Sequence, residues 1–284
     1  MNDLSRKIIL SVAPAARHKA EAGKLLKKDP GFSVMTPEEI ASDVISCAKE
    51  GAAIVHLHVR DKDGKLTPDL TEFKRTIKLI KDETDIILEV STGGVSDMNT
   101  AERGAALSIP GLELAALNMG SVNINGLAFM NSPSEIRELC KQIRECNIIP
   151  LLEIFEPGMV ENVNALLSEN LLKAPYLYGI CLGFEGTQPA RTINLQHMAN
   201  LMPRNAVWYY QEHGMRDLTM CAAAIAAGAK IVRVGFEDSP YYAPGKFAHS
   251  NTELVIRLVE LIKVLGFETA SAEEARKIIH QGVK

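Results

Sequence analysis

The sequence predicts a single (β/α)8 barrel, the TIM-barrel architecture, with one additional helix at its C-terminal end. Short, apolar, β-branched runs alternate with segments of helical periodicity eight times along the 284 residues. No linker or shift in composition interrupts this alternation, and no Gly-x-Gly-x-x-Gly motif follows the first run, as a dinucleotide-binding sheet would require. Because α/β barrels of about 250 residues commonly form one domain, we assign residues 1–284 to a single domain.

The eight predicted strands are short and almost continuously apolar. Runs such as Ile54-Val55 and Ile231-Val232 are typical of parallel strands that are covered on both faces, whereas an open antiparallel sheet alternates apolar and polar residues. The pattern therefore favours a closed parallel barrel. The predicted strands cover residues 8–13, 53–59, 86–91, 112–118, 149–155, 177–182, 206–211 and 230–236.

The segments between the strands carry helix-capping residues at their starts. Thr36 precedes Pro37 and two glutamates, which places an N-cap threonine before a proline at the first helical position. The same order recurs at Thr67-Pro68 and at Ser132-Pro133. Further helices are predicted to begin near Ser96, Glu161, Asn194, Arg216 and Asn251, and a ninth to cover residues 271–281.

Charge and hydropathy limit the kind of partner. A net charge of −4 gives no basic surface for nucleic acid. The longest apolar run, residues 221–229, is much shorter than the roughly 18 residues of a membrane span, and the run after Ile8 is too short for a signal peptide. The five cysteines form no Cys-x-x-Cys pair and are expected to be reduced and buried. We therefore expect a cytoplasmic protein that binds small molecules, and neither nucleic acid nor a membrane.

Two histidines stand at the end of the second predicted strand, in His56-Leu57-His58. Because strand side chains alternate between faces, residues two apart point to the same side. Barrel enzymes keep their active sites at this end of the strands, and imidazole is a common zinc ligand, so the pair predicts a metal site. A catalytic zinc needs a third protein ligand. Glu237 or Asp238, after the eighth strand, either supplies it or begins a solvated loop.

Polar residues also follow or interrupt other predicted strands. Ser91-Thr92-Gly93-Gly94 is either a loop whose backbone N–H groups approach a ligand or a tight strand-to-helix turn, and Asn118 poses the same choice. Glu153 interrupts an apolar strand, where an unpaired carboxylate is costly, so it either pairs with a basic residue or lines the site. His213 is either a substrate contact or a solvated loop residue.

Six segments carry a family resemblance, and they occur in the family's order from about residue 8 to the end of the chain. They are TPEEI (36–40), GAAIVHLHVRD (51–61), STGG (91–94), LNMGS (117–121), LEIF (152–155) and RVGFED (233–238). With these segments the chain resembles the β-keto acid cleavage enzymes, the family typified by 3-keto-5-aminohexanoate cleavage enzyme. The combination is specific, although the glycine pair alone is not.

The resemblance implies a zinc enzyme that exchanges an acyl group, so that a β-keto acid and acetyl-CoA give acetoacetate and a new acyl-CoA. It implies that Asp238 and Arg233 form an acid-base and charge-stabilising pair, that Ser91 contacts the keto acid, and that the chain forms a homotetramer. The implied zinc ligands are His56, His58 and Glu237. The residues expected to bind substrate are Ser91, Thr92, Gly93, Gly94, Asn118, Glu153 and Arg17.

The residue types suit this chemistry. Breaking a bond beside a ketone generates enolate charge, which a Lewis-acidic zinc can stabilise. A Schiff-base mechanism lacks a lysine at a strand end, because Lys230 opens the eighth strand at the opposite face. One departure concerns the substrate: where family members with cationic substrates carry a glutamate after the first strand, this chain has Ala15-Ala16-Arg17. We therefore expect Arg17 to favour a neutral or anionic keto acid.

Two other functions stay open on the sequence alone. A metal-dependent acyl-CoA lyase of the hydroxymethylglutaryl type is also a barrel with a His-x-His pair, although that family's pair lies late in the chain and its acidic motif after the first strand is missing here. The other alternative is a barrel that binds metal without catalysis. Dependence on acetyl-CoA separates the three functions, because the lyase needs no second acyl-CoA and the non-catalytic barrel turns over no substrate.

Overall fold

The computed structural model describes residues 4–14, 35–94, 96–124 and 126–281. Eight parallel strands in these ranges close into a barrel, as predicted: each pairs with the next along the chain, and the eighth pairs with the first, with Ile9 opposite Ile231. The strands are β1 (Lys7–Val12), β2 (Ile54–Leu57), β3 (Ile87–Ser91), β4 (Leu114–Asn118), β5 (Ile149–Ile154), β6 (Leu177–Leu182), β7 (Trp208–Glu212) and β8 (Ile231–Val234).

Helices separate the strands and surround the barrel. Two of them begin with the capping residues predicted from the sequence: the side chains of Thr36 and Ser132 accept hydrogen bonds from the backbone N–H groups of Glu39 and Glu135. The predicted C-terminal helix is also present. The helices are α1 (Pro37–Lys49), α2 (Thr71–Glu83), α3 (Thr100–Arg103), α4 (Pro133–Glu145), α5 (Met159–Ser168), α6 (Thr192–Leu201), α7 (Thr219–Ala226), α8 (Asn251–Val264) and α9 (Ala272–Gln281).

The predicted helix start at Thr67-Pro68 is wrong, because α2 begins only at Thr71. The backbone N–H of Thr67 donates to the carbonyl of Val59 at 3.3 Å, so this segment returns alongside the residues that follow β2. Asp69 then accepts a hydrogen bond from the backbone N–H of Thr71 at 3.0 Å, which starts the helix. A long-range backbone contact, which local capping residues do not reveal, thus sets the start of α2.

The barrel interior contains two layers, because alternate residues of each strand point inward. The lower layer, near the N-terminal ends of the strands, is apolar. It packs against Ala275, Ile278 and Ile279 of α9, which closes this end of the barrel. The upper layer lies two residues further along the same strands and is polar. The lower layer consists of Ile9, Ile54, Ile87, Leu114, Leu151, Leu177 and Ile231. The upper layer includes Ser11, His56, Glu89, Glu153 and Arg233.

Two short antiparallel hairpins follow β4 and β8. One pairs Val122–Ile124 with Leu127–Phe129, and the other pairs Tyr241–Ala243 with Lys246–Phe247. The periodicity of the sequence does not predict them, since their strands contain only two or three residues. Both lie after the C-terminal ends of barrel strands, at the face where the predicted site residues lie.

The cysteines and the helix lengths bear on two further predictions. Cys47, Cys140, Cys181 and Cys221 are buried, as expected, but Cys146 is exposed because it is the C-cap residue of α4. No helix among the described residues is long and apolar enough to cross a membrane.

Candidate functional site

His56, His58 and Glu237 meet in the upper part of the barrel. His56 lies in β2, and His58 lies just beyond the end of this strand, which stops two residues earlier than predicted. After β8, Gly235 has a φ of +147°, and a Cβ atom there would lie 2.1 Å from the carbonyl oxygen of Ala13. This close approach, which only glycine permits, lets the backbone N–H of Glu237 donate to that carbonyl at 3.2 Å. The chain after β8 is thereby held over β1, within reach of β2.

The three facing atoms form a small triangle. Nε2 of His56 lies 3.3 Å from Nε2 of His58 and 3.5 Å from Oε1 of Glu237, and the remaining side is 3.3 Å. Ligands placed about 2.0–2.1 Å from one tetrahedral zinc ion are about 3.3–3.4 Å apart. Two imidazoles and one carboxylate with a fourth position open are typical of catalytic zinc sites. The three residues therefore fit a metal ion of this kind.

Glu89 orients the ring of His56. The two residues are register partners on β3 and β2, both are buried, and Oε1 of Glu89 lies 2.6 Å from Nδ1 of His56. We assign the proton of the neutral ring to Nδ1 because Glu89 accepts it there, which directs the Nε2 lone pair at His58 and Glu237. Glu89 is not among the predicted site residues, although an acid within an apolar strand is the same feature that marks Glu153.

Burial and neighbouring charges set the protonation of the triangle. Burial opposes ionisation of Glu237, but the charges of His58, His56 and Arg233 outweigh it and hold the pKa of this carboxyl well below its usual range. Burial lowers the pKa of His58. Burial also disfavours the charged form of His56, yet Glu89 and Glu237 together raise its pKa. A metal ion here would therefore compete with a proton for His56 and find Glu237 already ionised.

Arg233 and Asp238 form a buried ion pair beside the triangle. Nε of Arg233 donates to Oδ2 of Asp238 at 2.8 Å, Nη2 donates to Oδ1 at 2.5 Å, and each residue is only 2% exposed. Burial disfavours the guanidinium charge, but Asp238, Tyr209 and Glu237 hold the pKa of Arg233 well above its usual value. Nη2 also lies 3.6 Å from Oε1 of Glu237. The ion pair and the triangle are therefore one electrostatic unit.

The upper barrel holds more acid than base. Glu153 accepts a hydrogen bond from Nε2 of Gln211 at 3.2 Å, and burial raises the pKa of its carboxyl. Its hydrogen-bond partner is thus an amide and not the basic residue that was one of the two expectations. Among the described residues, the carboxyl groups of this region face one guanidinium, that of Arg233, and a divalent cation would offset part of the excess. These carboxyl groups belong to Glu89, Glu153, Glu237 and Asp238.

Short-range and cross-strand hydrogen bonds shape the segment after β3, and the next helix begins only at Thr100. Oγ of Ser91 accepts a hydrogen bond from the backbone N–H of Gly93 at 3.1 Å. The hydroxyl of Thr92 donates to the carbonyl of Ala116 at 2.6 Å and is buried, so it serves the fold. Gly94 has a φ of +131°, which favours glycine. Ser91 is half-buried and carries the hydroxyl of this segment that is nearest to solvent.

Three further predicted residues have different outcomes. Oδ1 of Asn118, at the end of β4, accepts a hydrogen bond from the backbone N–H of Gly120 at 3.1 Å. The ring of His213 stacks on that of Phe184 with the centroids 4.8 Å apart, and His213 is half-buried. Arg17 lies outside the described residues.

Known proteins resemble this chain over most of its length. A 3-keto-5-aminohexanoate cleavage enzyme from Fusobacterium nucleatum subsp. nucleatum is 36% identical over 246 residues, which cover 86% of this chain and 89% of that protein. A 3,5-dioxohexanoate:acetyl-CoA acetone transferase from Paraburkholderia graminis is 28% identical, with 96% of each chain covered. Among solved structures, a ternary complex of ObcA with a C4-CoA adduct and oxalate matches with a TM-score of 0.74 at 20% identity. That match covers 86% of this chain and 66% of the ObcA chain, and it shows the fold alone.

A family model defines the relationship further. The model described as beta-keto acid cleavage enzyme matches residues 32–280. This range contains the triangle of His56, His58 and Glu237 and the Arg233–Asp238 ion pair. The Fusobacterium and Paraburkholderia relatives are named as a cleavage enzyme and an acetyl-CoA acetone transferase. The chain therefore belongs to the β-keto acid cleavage enzyme family.

Proposed function

We propose that this protein is a zinc-dependent β-keto acid cleavage enzyme that uses acetyl-CoA as its co-substrate. In this reaction R–CO–CH2–COO⁻ and CH3–CO–S-CoA give CH3–CO–CH2–COO⁻ and R–CO–S-CoA, so the two acyl groups exchange places between carbon and sulfur. The observation that carries the proposal is the triangle of His56, His58 and Glu237 beside a buried Arg233–Asp238 pair. Family membership and the acetyl-CoA-dependent relative support it.

The proposed metal ligands are His56, His58 and Glu237. Zinc, when bound, supplies Lewis acidity that stabilises negative charge on the ketone oxygen. Glu89 keeps the Nε2 lone pair of His56 directed at the site through its hydrogen bond to Nδ1. Glu237 contributes an anionic oxygen, because its carboxyl stays ionised despite burial.

Asp238 is the proposed acid-base group. The carbon between the keto and acid groups gains a bond to the incoming acetyl group, so one of its protons must leave, and a carboxylate can accept that proton. Arg233 engages both oxygens of Asp238, which fixes the orientation of the carboxylate and leaves its other lone pairs to receive the proton. The pair is only 2% exposed, so bulk water competes little for the proton.

The remaining predicted residues are proposed to contact the keto acid. Ser91 offers a half-buried hydroxyl at the end of β3. Glu153 is proposed to meet the substrate through its buried carboxyl, whose pKa is raised by burial. Asn118 and the backbone of residues 92–94 are the other proposed contacts. We further propose that Arg17 selects for a neutral or anionic keto acid.

A product assay with a substrate panel tests the reaction. The purified protein is incubated with neutral, anionic and aminated β-keto acids, each with and without acetyl-CoA. We expect acetoacetate and a new acyl-CoA in equal amounts only when both substrates are present. Cleavage without acetyl-CoA would indicate the lyase alternative. No turnover of any substrate would leave a barrel that binds metal without catalysis as the remaining alternative. A panel in which only aminated keto acids react would refute the role of Arg17.

Metal analysis of the purified protein tests the cofactor. We expect about one zinc ion per chain, bound by the three ligands. The same two histidines and one carboxylate also suit ferrous iron, so iron in place of zinc would change the assignment of the metal but not of the site. Sedimentation equilibrium on the same sample tests the proposed homotetramer.

A further inference from the structure

A cavity of about 250 Å³ lies between α1 and α2, next to the metal-ligating triangle. His56, His58 and Glu237 line it. The described residues of its lining do not include Ser91 or Asn118, which belong to the ends of β3 and β4. The triangle therefore borders a cavity that the ends of β3 and β4 do not line.

The walls of the cavity are largely apolar. Ile40 of α1 and Phe73 of α2 face it from the two helices, and Leu57 of β2 lies between them. Phe73 and Leu57 are buried members of the hydrophobic core, so this part of the wall is held by packing. Met35 and Pro37 extend the apolar surface at the start of α1. Such a wall suits a chain that carries no charge.

The loop after β2 brings a cation to the cavity. Lys62 lines it and is exposed to solvent. The neighbouring acid, Asp61, accepts hydrogen bonds from the backbone N–H groups of Asp63 and Lys65, both at 2.9 Å, so its charge stabilises the loop itself. Glu72 of α2 also lines the cavity. Arg60, the other cation of the lining, is half-buried and donates to the carbonyl of Gly64 at 2.8 Å. Lys62 is the more exposed of the two cations and is therefore placed to meet an anion arriving from solvent.

We propose that this cavity binds the pantetheine arm of acyl-CoA, with the thioester next to the triangle and the phosphates of the nucleotide beside Lys62. This inference rests on the proposed function, since it assumes that acetyl-CoA is a substrate. The pantetheine arm is a narrow, uncharged chain with an anionic nucleotide at its far end. The cavity is lined both by the metal ligands and by the exposed lysine, the two kinds of group that the ends of this arm require.

Size and charge favour this arm over the keto acid. The cavity is smaller than the roughly 300–1,000 Å³ of pockets that enclose a drug-sized ligand, so it suits an arm whose nucleotide stays outside. The keto acid carries a carboxylate close to its reacting carbon, and the apolar side chains of Ile40, Leu57 and Phe73 offer this carboxylate no partner. The two reactants must also touch each other at the metal ligands, which requires that they approach from different sides.

Filling the cavity tests the proposal. Ile40→Trp places an indole in the wall, and Ile45→Trp makes the same change on the same helix, at a half-buried position outside the lining. We expect Ile40→Trp to raise the KM for acetyl-CoA by about tenfold or more, and the KM for S-acetylpantetheine likewise, because one misfitted group in an apolar pocket has effects of this size. The KM for the keto acid and all constants of Ile45→Trp should stay within about twofold of wild type.

Charge reversal tests the outer end. We expect Lys62→Glu to lower kcat/KM for acetyl-CoA by about threefold to tenfold. The kcat/KM for S-acetylpantetheine should stay unchanged, because this substrate lacks the nucleotide. Lys173→Glu makes the same charge change at another exposed position and should leave kcat/KM for both substrates unchanged. Lys62 is exposed, so this variant tests the proposal even if Ile40→Trp lowers the melting temperature.

The outcomes separate this proposal from the proposed function. If the KM for the keto acid rises in Ile40→Trp while that for acetyl-CoA stays unchanged, the cavity holds the keto acid and the proposal is overturned. Equal behaviour of Ile40→Trp and Ile45→Trp would overturn it as well. If wild-type protein turns over no keto acid, the proposed function fails, and calorimetric binding of CoA to wild type and Ile40→Trp then tests the cavity as a CoA site. Weaker binding by the variant supports the CoA site, and equal or absent binding overturns it.

Discussion

The lower layer of the barrel interior contains aliphatic side chains, whereas the upper layer, two residues further along the same strands, contains His56, Glu89, Glu153 and Arg233. Burial of the lower layer contributes free energy at roughly 25 cal/mol per Å² of apolar surface. Burial of charge in the upper layer costs free energy unless each group finds a partner. The inward face of each strand thus contributes to both a stabilising and a functional layer, so substitutions two residues apart should affect different properties.

The largest expected effect is in the upper layer. His56→Ala should remove bound metal and lower kcat/KM by roughly a thousandfold or more, since the Lewis acidity of a metal ion is worth several kcal/mol. Metal content and kcat/KM are measured on the same purified sample. Leu57→Ala is not a suitable control, because Leu57 lines the proposed CoA cavity. Retention of both metal and activity in His56→Ala would contradict the site.

The next effect belongs to the lower layer. Leu151→Ala, two residues before Glu153 on β5, should lower the free energy of unfolding by about 2–5 kcal/mol, because it leaves a cavity in a fully buried cluster. The folded fraction should keep wild-type metal content and kcat. Denaturant unfolding and metal analysis measure the two quantities. A variant of normal stability that has lost its metal would contradict the assignment of stability to the lower layer and function to the upper layer.

A buried acid outside both layers gives a pH-dependent effect. Glu212, at the end of β7, accepts a hydrogen bond from the hydroxyl of Tyr210 at 3.0 Å, and burial, with Asp217 and Asp238 nearby, raises its pKa to about 7. Between pH 4.5 and 7 the folded chain therefore holds a proton that the unfolded chain has released. Its stabilisation is present below pH 4.5 and is lost as the pH rises through 7.

Glu212→Gln tests this sign. From pH 5 to pH 8 the wild type should lose roughly 2 kcal/mol more of its free energy of unfolding than the variant does. Denaturant unfolding at the two pH values measures the difference. The same pH dependence in both proteins would mean that Glu212 is ionised in the fold at neutral pH.

The last prediction returns to the upper layer and concerns Glu89. Glu89→Gln keeps an acceptor for Nδ1 of His56 but removes the charge, and it should weaken zinc binding by about tenfold to a hundredfold, as loss of an outer hydrogen-bond partner typically does. Competition with a chelator measures the affinity, and circular dichroism checks the fold. Unchanged affinity would mean that Glu89 serves only to fill the upper layer.

The sequence predicts the barrel well because its strands repeat a local pattern. Eight apolar runs, the capping residues of α1 and α4, and the two histidines on one strand are all readable within a few residues. The prediction that Glu237 is a metal ligand needs the closure of β8 on β1 and the family resemblance. These features depend on short range patterns or on the single rule that parallel strands in a barrel end at one face.

Other features depend on contacts between distant segments. The role of Glu89 follows from its register opposite His56, which no spacing along the chain specifies. The hydroxyl of Thr92 is directed to Ala116 on the neighbouring strand, and Thr67 is held by Val59, so neither can be assigned from its neighbours in sequence. The cavity between α1 and α2 likewise arises from the packing of two helices.

The position of β1 has a consequence for the order in which the chain folds. β1 pairs with β2 and β8, and Lys7 and Ile8 also pair with the short strand Glu268–Thr269, just before α9. During synthesis the first strand must therefore wait for the last parts of the chain. Until β8 leaves the ribosome, β1 and the newest strand present unpaired edges, and until α9 follows, the apolar lower layer is open to water. Interruption of synthesis before residue 268 would release a chain that is prone to aggregate.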